Sequence, residues 1–209
     1  MQKSTILFLI SFWLLVTSCA TNTIVKDAKP VALETAIYNV PYFANPAIDY
    51  VYKANITVYG NELSGIFIAK KINETTHRVV FTTEFGNKLL DFEISETDFK
   101  VNSIVEELNR KMLINTLKTD FRLLLRNKYA IQEQLETESD KILKSAEGKI
   151  FNYLYFSKKD QKCYKIVHAS KRKEKINISF TSENNIFAEN IIIEHYTIPL
   201  KIRLQYLKN

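Results

Sequence analysis

Glycine and proline are scarce in this chain, four of each in 209 residues, and there are only two cysteines, two methionines and one tryptophan. So few glycines leave no Gly-x-Gly-x-x-Gly or Walker-type loop to cradle nucleotide phosphates. Cys19 and Cys163 form no Cys-x-x-Cys, and His77, His168 and His195 include no i, i+4 pair, so the spacing of a metal site is missing. No Gly-x-Ser-x-Gly elbow occurs either. These absences point away from an enzyme and imply neither a cofactor nor a metal. The charge excess is modest, +6 over the whole chain. Its densest basic run, Lys171-Arg172-Lys173, sits beside Glu174 between two strand-like segments and reads as a solvated hairpin turn, so no nucleic-acid partner is expected.

What the sequence does have begins with an address. Lys3 is the only charge in the first eighteen residues, and an apolar run from Ile6 to Val16, broken only by Ser11, leads into Val16-Thr17-Ser18-Cys19. That run is too short for the roughly 20 residues of a transmembrane helix and suits a cleaved export signal over residues 1–18. Val-Thr-Ser-Cys resembles the bacterial lipobox, which implies a lipoprotein with Cys19 acylated, palmitate among its chains, as the membrane anchor. Two or more chains are needed for stable anchoring. Cys163 then has no disulfide partner. The residues after Cys19 lack an acidic run, which favours facing the periplasm. Residues 19–45 read as the lipidated Cys and a polar tether, with about two helical turns over Val31–Ile37, and Pro41 and Pro46 stop any longer helix.

From residue 46 to 209 the pattern is one domain. Tyr50, Tyr52, Ala54, Ile56 and Val58 share one strand face; Leu63–Ile72, the run from His77 and Lys88–Ser95 follow, with Leu90, Phe92 and Ile94 on one face of the last. Short turns at Gly60-Asn61-Glu62 and Asn73–Thr76 make these neighbours antiparallel. Ser103-x-x-Glu106 has the spacing of a capping box, so a first helix is expected there, with Ile104, Val105, Leu108 and Met112 recurring at helical spacing. A second helix is expected from Asn115 or Thr116, carrying Leu117, Phe121, Leu124 and Leu125 as a stripe. The charged stretch 127–149 reads as a partly helical surface segment. Strands resume at Ile150–Ser157, Lys162–Ala169, Lys175–Thr181, Ala188–Tyr196 and Pro199–Leu207, where Leu200, Ile202 and Leu204 alternate with Lys201, Arg203 and Gln205.

These elements predict an α+β fold: a curved antiparallel half-barrel of about ten strands, with a helical lid on its concave apolar face. Two arrangements of the interior stay open. The apolar side chains fill it, or they line a ligand cavity, the candidates being Ile56, Val58, Phe81, Phe92, Ile94, Leu108, Met112, Leu117, Phe121, Leu124, Leu200, Ile202 and Leu204. Phe85, in the turn Glu84-Phe85-Gly86-Asn87, is either tucked onto the sheet edge or exposed to a partner.

The hairpin Arg78–Ser95 with its glycine turn, the helix Met112-Leu113-Ile114-Asn115-Thr116-Leu117 to Leu124, and the final hairpin Ile191–Leu207 resemble the LolB family of outer-membrane lipoproteins. LolB receives other lipoproteins from the periplasmic carrier LolA. The resemblance implies a half-barrel whose apolar cavity is closed by helices, and a protruding hydrophobic residue, here Phe85, that contacts membrane or acyl chain. Its implied partners are the membrane, lipid or lipoprotein acyl chains and a LolA-like carrier. The expected role is binding a lipid or lipoprotein acyl chains, with transfer to the outer membrane, on a periplasm-facing anchored protein. The other expectation is a non-catalytic structural or assembly lipoprotein that binds another envelope protein.

Overall fold

The computed structural model describes residues 24–170, 173–183 and 186–208. The expected signal segment 1–18 and Cys19 lie outside the described residues, as do Lys171 and Arg172. The strands in chain order are β1 (Lys29–Val31), β2 (Ile37–Asn39), β3 (Asp49–Val58), β4 (Asn61–Lys71), β5 (His77–Thr82), β6 (Lys88–Ile94) and β7 (Phe99–Ile104). A 3-10 turn (Glu106–Leu108) and the helix α1 (Lys111–Leu125) come next. The second run of strands is β8 (Lys128–Ala130), β9 (Glu133–Glu136), β10 (Asp140–Glu147), β11 (Ile150–Ser157), β12 (Cys163–Ser170), β13 (Lys173–Thr181), β14 (Asn190–His195) and β15 (Leu200–Tyr206).

Thirteen strands form one open antiparallel sheet in the order β1-β9-β10-β11-β12-β13-β14-β15-β3-β4-β5-β6-β7, and β2 pairs with β8 apart from it. The C-terminal strand therefore joins the two halves, β15 pairing with β3 from Leu200↔Val58 to Tyr206↔Tyr52. The sheet curves without closing, and α1 lies across its concave face. Leu117, Phe121 and Leu124 of α1 are buried there. Phe121 meets Phe67 and Phe92 at centroid distances of 5.4 and 6.4 Å. Tilted and edge-on aromatic pairs of this kind pack densely and add about 0.5–1.5 kcal/mol each beyond area burial. No helix among the described residues is long and apolar enough to cross a membrane.

The strand count exceeds the expected ten because the expected tether supplies β1 and β2, the approach to the expected first helix supplies β7, and the charged stretch 127–149 supplies three more. Residues 127–149 are not a partly helical segment: they supply β8, β9 and β10. Their charges pair across strands, Lys144 with Glu133 at 2.6 Å and, from β11's end, Lys158 with Glu136 at 2.8 Å. Ile142 and Leu143 are buried on opposite faces of β10. One face joins the main core, and the other joins a second cluster of Val25, Leu135, Ile142, Tyr153, Tyr155, Val167 and Ala169. A strand buried on both faces loses its period-two signature.

The chain before residue 46 is also more than a tether. Val31–Ile37 holds no helix; β1 and β2 flank it. Val25, Val40, Tyr42 and Phe43 are buried, Tyr42 stacks on Phe180 at 5.0 Å, and Phe43 packs on Tyr50 at 4.9 Å. The folded unit thus includes residues well before the expected boundary. The first expected helix is likewise absent. Ser103 sits in β7 opposite Asp91, and the 3-10 turn that follows has no side-chain cap. Pairing β7 to β6 satisfies a whole ladder of amides, which outweighs the two that a capping box would satisfy. The other helix begins at Lys111, earlier than Asn115 or Thr116; the Thr116 hydroxyl donates to the Met112 carbonyl at 2.9 Å inside the helix and caps nothing.

Candidate functional site

The β3–β4 hairpin turns on two residues, Tyr59 and Gly60, whose φ angles are +47° and +81°. Two successive left-handed residues match the twist of a tight hairpin, and glycine takes the second place without cost. Tyr59 bears about 1–2 kcal/mol of strain in that conformation. The turn is held by the Tyr59 N–H, which donates to the Pro199 carbonyl at 3.0 Å. Its consequence is to bring the Tyr59 ring over the start of α1, where the hydroxyl donates to Met112 Sδ at 3.9 Å.

Behind that clasp lies an apolar pocket of about 400 Å³. It is lined by Val58, Tyr59, Asn61, Leu63, Glu107, Leu108, Arg110, Met112, Leu113, Thr116, Ile198 and Leu200. The ends of β3, β4 and β15 form its floor and the 3-10 turn and first turns of α1 form its wall. A volume in the hundreds of Å³, mostly aliphatic with a few polar groups at the edge, is what small apolar ligands require. Elsewhere, a crevice of about 30 Å³ beside His77, Ile94 and Phe121 has room for little more than a water. A larger hollow of about 770 Å³ among Lys26, Asp27, Glu136 and Lys158 is lined mainly by charged and polar residues.

Of the residues expected to line a cavity, the structure brings Val58, Leu108, Met112 and Leu200 to this pocket. The other nine, Ile56, Phe81, Phe92, Ile94, Leu117, Phe121, Leu124, Ile202 and Leu204, are packed in the main core, each at most 5% exposed. Tyr50, Tyr52, Phe67 and Phe43 fill the centre of the half-barrel with them, and the apolar pocket lies at one end. Sequence reasoning missed Tyr59, Leu63, Leu113 and Ile198 as lining residues. The Tyr-Gly pair between two alternating runs was the available signal for the first of them.

Phe85 projects into solvent, 95% exposed. It rides on a firmly built turn: the Thr83 N–H donates to Asn87 O at 2.8 Å, and the Asn87 N–H returns to Thr83 Oγ1 at 3.1 Å. The arm beneath is fixed by Asp91, a fully buried carboxylate that accepts from Arg78 Nε (2.9 Å) and Nη2 (2.7 Å), Lys88 Nζ (2.9 Å) and Asn102 Nδ2 (3.3 Å). The Arg78 hydrogen bonds above all hold the Asp91 carboxyl well below the usual carboxylate range. The end of β5 also passes very close to β4. A Cβ on Gly65 would lie 1.9 Å from the Thr82 carbonyl oxygen, so only glycine fits.

The titratable groups elsewhere serve the scaffold. His77 Nε2 is 2.9 Å from the Phe43 carbonyl, and burial lowers its pKa. His168 Nδ1 is 2.8 Å from Asn152 Oδ1, and burial lowers its pKa also. His195 Nε2 lies 2.7 Å from Asp120 Oδ1, tying α1 to β14, and burial pushes the Asp120 carboxyl up. Burial pushes the Cys163 thiol up to about 12, so it stays protonated at neutral pH and unreactive. Among the described residues no three His, Cys, Asp or Glu side chains are placed to hold a metal.

No family model matches the sequence, and no curated protein matches it. Solved structures do. A LolA superfamily protein from Nitrosomonas europaea superimposes with a TM-score of 0.50 at 10% identity, over 79% of this chain and 87% of its own. A DUF1329 family protein from Desulfovibrio piger gives 0.42 at 11% identity, over 77% and 84%. A domain described as outer membrane lipoprotein-sorting, from Vibrio parahaemolyticus, gives 0.44 at 5% identity, over 77% and 83%. The Nitrosomonas protein shares this chain's fold.

Proposed function

We propose that this chain is an envelope lipoprotein, anchored through acylated Cys19 on the periplasmic side of the outer membrane, that binds an acyl chain of a lipid or of another lipoprotein and passes it toward that membrane. The observation that carries this reading is the apolar pocket of about 400 Å³ opening between α1 and the β3–β4 hairpin. Three features support it: the lipobox-like Val16-Thr17-Ser18-Cys19, the fold shared with a LolA superfamily protein, and the exposed Phe85 on its rigid arm. A LolA-like carrier is the donor this reading implies. Catalysis has no place in it, since His77, His168, His195 and Cys163 are engaged in scaffold contacts.

Burying an exposed Phe ring in the interfacial layer of a bilayer is worth about 1.5–3 kcal/mol, enough to dock the arm without anchoring it permanently. The pocket mouth and the arm both sit at the turns of neighbouring strands β3 to β6. A second reading, an assembly lipoprotein that docks another envelope protein, is favoured by the filled centre of the half-barrel. Mass spectra of lipid extracted from the purified chain separate the two. The acyl-binding reading expects a lipid in molar amounts that disappears when Leu113→Trp fills the pocket. A protein partner retained through purification with no lipid bound would favour the second.

A further inference from the structure

The pocket's size limits what it can hold. At roughly 30 Å³ per methylene, about the share of a water in the liquid, 400 Å³ accommodates on the order of thirteen methylenes. That is a single acyl chain. The side chains around it leave no branch for a second: Ile56 and Ile202 below the floor are at most 5% exposed, and Leu117, one turn further along α1, is 2% exposed.

The rim adds a second constraint. Glu107 and Arg110 both edge the pocket, both are exposed, and among the described residues neither side chain has an ion-pair partner, not even each other. A bare carboxylate head would gain from Arg110 and be repelled by Glu107. A head carrying an anion and a cation a few ångströms apart is complementary to both. Resting on the acyl-binding reading above, we infer that the preferred ligand is a single-chain zwitterionic phospholipid, its chain in the pocket, its phosphate toward Arg110 and its ammonium toward Glu107. The Tyr59–Met112 contact then lies across the entry, and the head stays in water where both rim charges remain solvated. Lipids with two or three chains enter by one chain only and leave the rest exposed.

The test uses the full chain, held in solution by an amphipathic polymer so that no detergent competes, with binding read by native mass spectrometry. The expected result is one 14-carbon lysophosphatidylethanolamine per chain. Arg110→Gln and Glu107→Gln should each weaken it by about two- to fivefold, the scale of one exposed ion pair. The neutral probe N-phenylnaphthylamine should bind both variants as it binds the parent, which also certifies their folding. Equal or tighter binding of myristate, of a two-chain phosphatidylethanolamine or of a triacylated lipopeptide would overturn the inference and leave the acyl pocket standing, as would rim variants with unchanged affinity. Failure of every acyl compound and of the neutral probe would overturn the inference and the acyl-binding reading together.

Discussion

Asp91 shows how one side chain governs an arm of the molecule. Its depressed carboxyl pKa contributes stability that is fully present above the unfolded value of about 3.9 and is lost as pH falls below it. Acid titration of unfolding free energy should therefore steepen below about pH 4, and Asp91→Asn should flatten that part of the curve. Asp91→Ala takes the shared acceptor from Arg78 and Lys88 and should cost about 1–3 kcal/mol in denaturant melts. Phe85→Ser should behave oppositely: stability within about 0.5 kcal/mol of the parent, with acyl-ligand transfer to phospholipid vesicles slowed, as a fluorescence transfer assay would register. Gly65→Ala puts a methyl into the Thr82 carbonyl and should lower the melting temperature, since the neighbour it meets is backbone. At this scale the sequence was partly readable. The turn at Phe85 could be placed from Glu84-Phe85-Gly86-Asn87, but its outward direction depends on the Asp91 network, whose donors come from three strands. Gly65 inside a strand pattern signals a close approach, and that signal was open to use.

Helices and strands follow the same division between local and distant causes. The alternating strands β3, β6 and β15 were legible because each has one dry face. The strand β10, beside the second core, was not: residues 24–28 cover its outer face, and burial on both sides erases alternation, although its neighbour β11 was expected at Ile150–Ser157. The capping-box spacing at Ser103 was a sound local signal defeated by pairing with β6, a contact no window of sequence contains. The helix α1 is fastened by its apolar stripe, so Leu124→Ala should cost about 2–5 kcal/mol in chemical denaturation. The clasp between the β3–β4 turn and α1 is weaker by design of its chemistry, a hydroxyl on a thioether. Met112→Ala should leave the melting temperature nearly unchanged and speed ligand release in stopped-flow displacement.

For the molecule as a whole, the architecture sets a packed half-barrel centre beside an apolar pocket at one end. The apolar pattern dictated the curved sheet and the covering helix, and thirteen of the fifteen strands among the described residues share that single sheet. It could not dictate where packing stops, because an aliphatic side chain reads alike whether it meets another side chain or an empty space. Aromatic residues at 42, 43, 50, 52, 67 and 121 close the centre, and the shorter aliphatics at Val58, Leu63, Leu113 and Leu200 leave the end open. The measurement that bears most directly on the account is the occupancy of that end in protein purified from envelopes, read as bound acyl mass in native spectra of the parent chain and of Leu113→Trp. The account predicts one acyl ligand on the parent and none on the variant, with equal melting temperatures. Equal occupancy in both, or a parent chain that carries no lipid and takes up none when it is supplied, would contradict it.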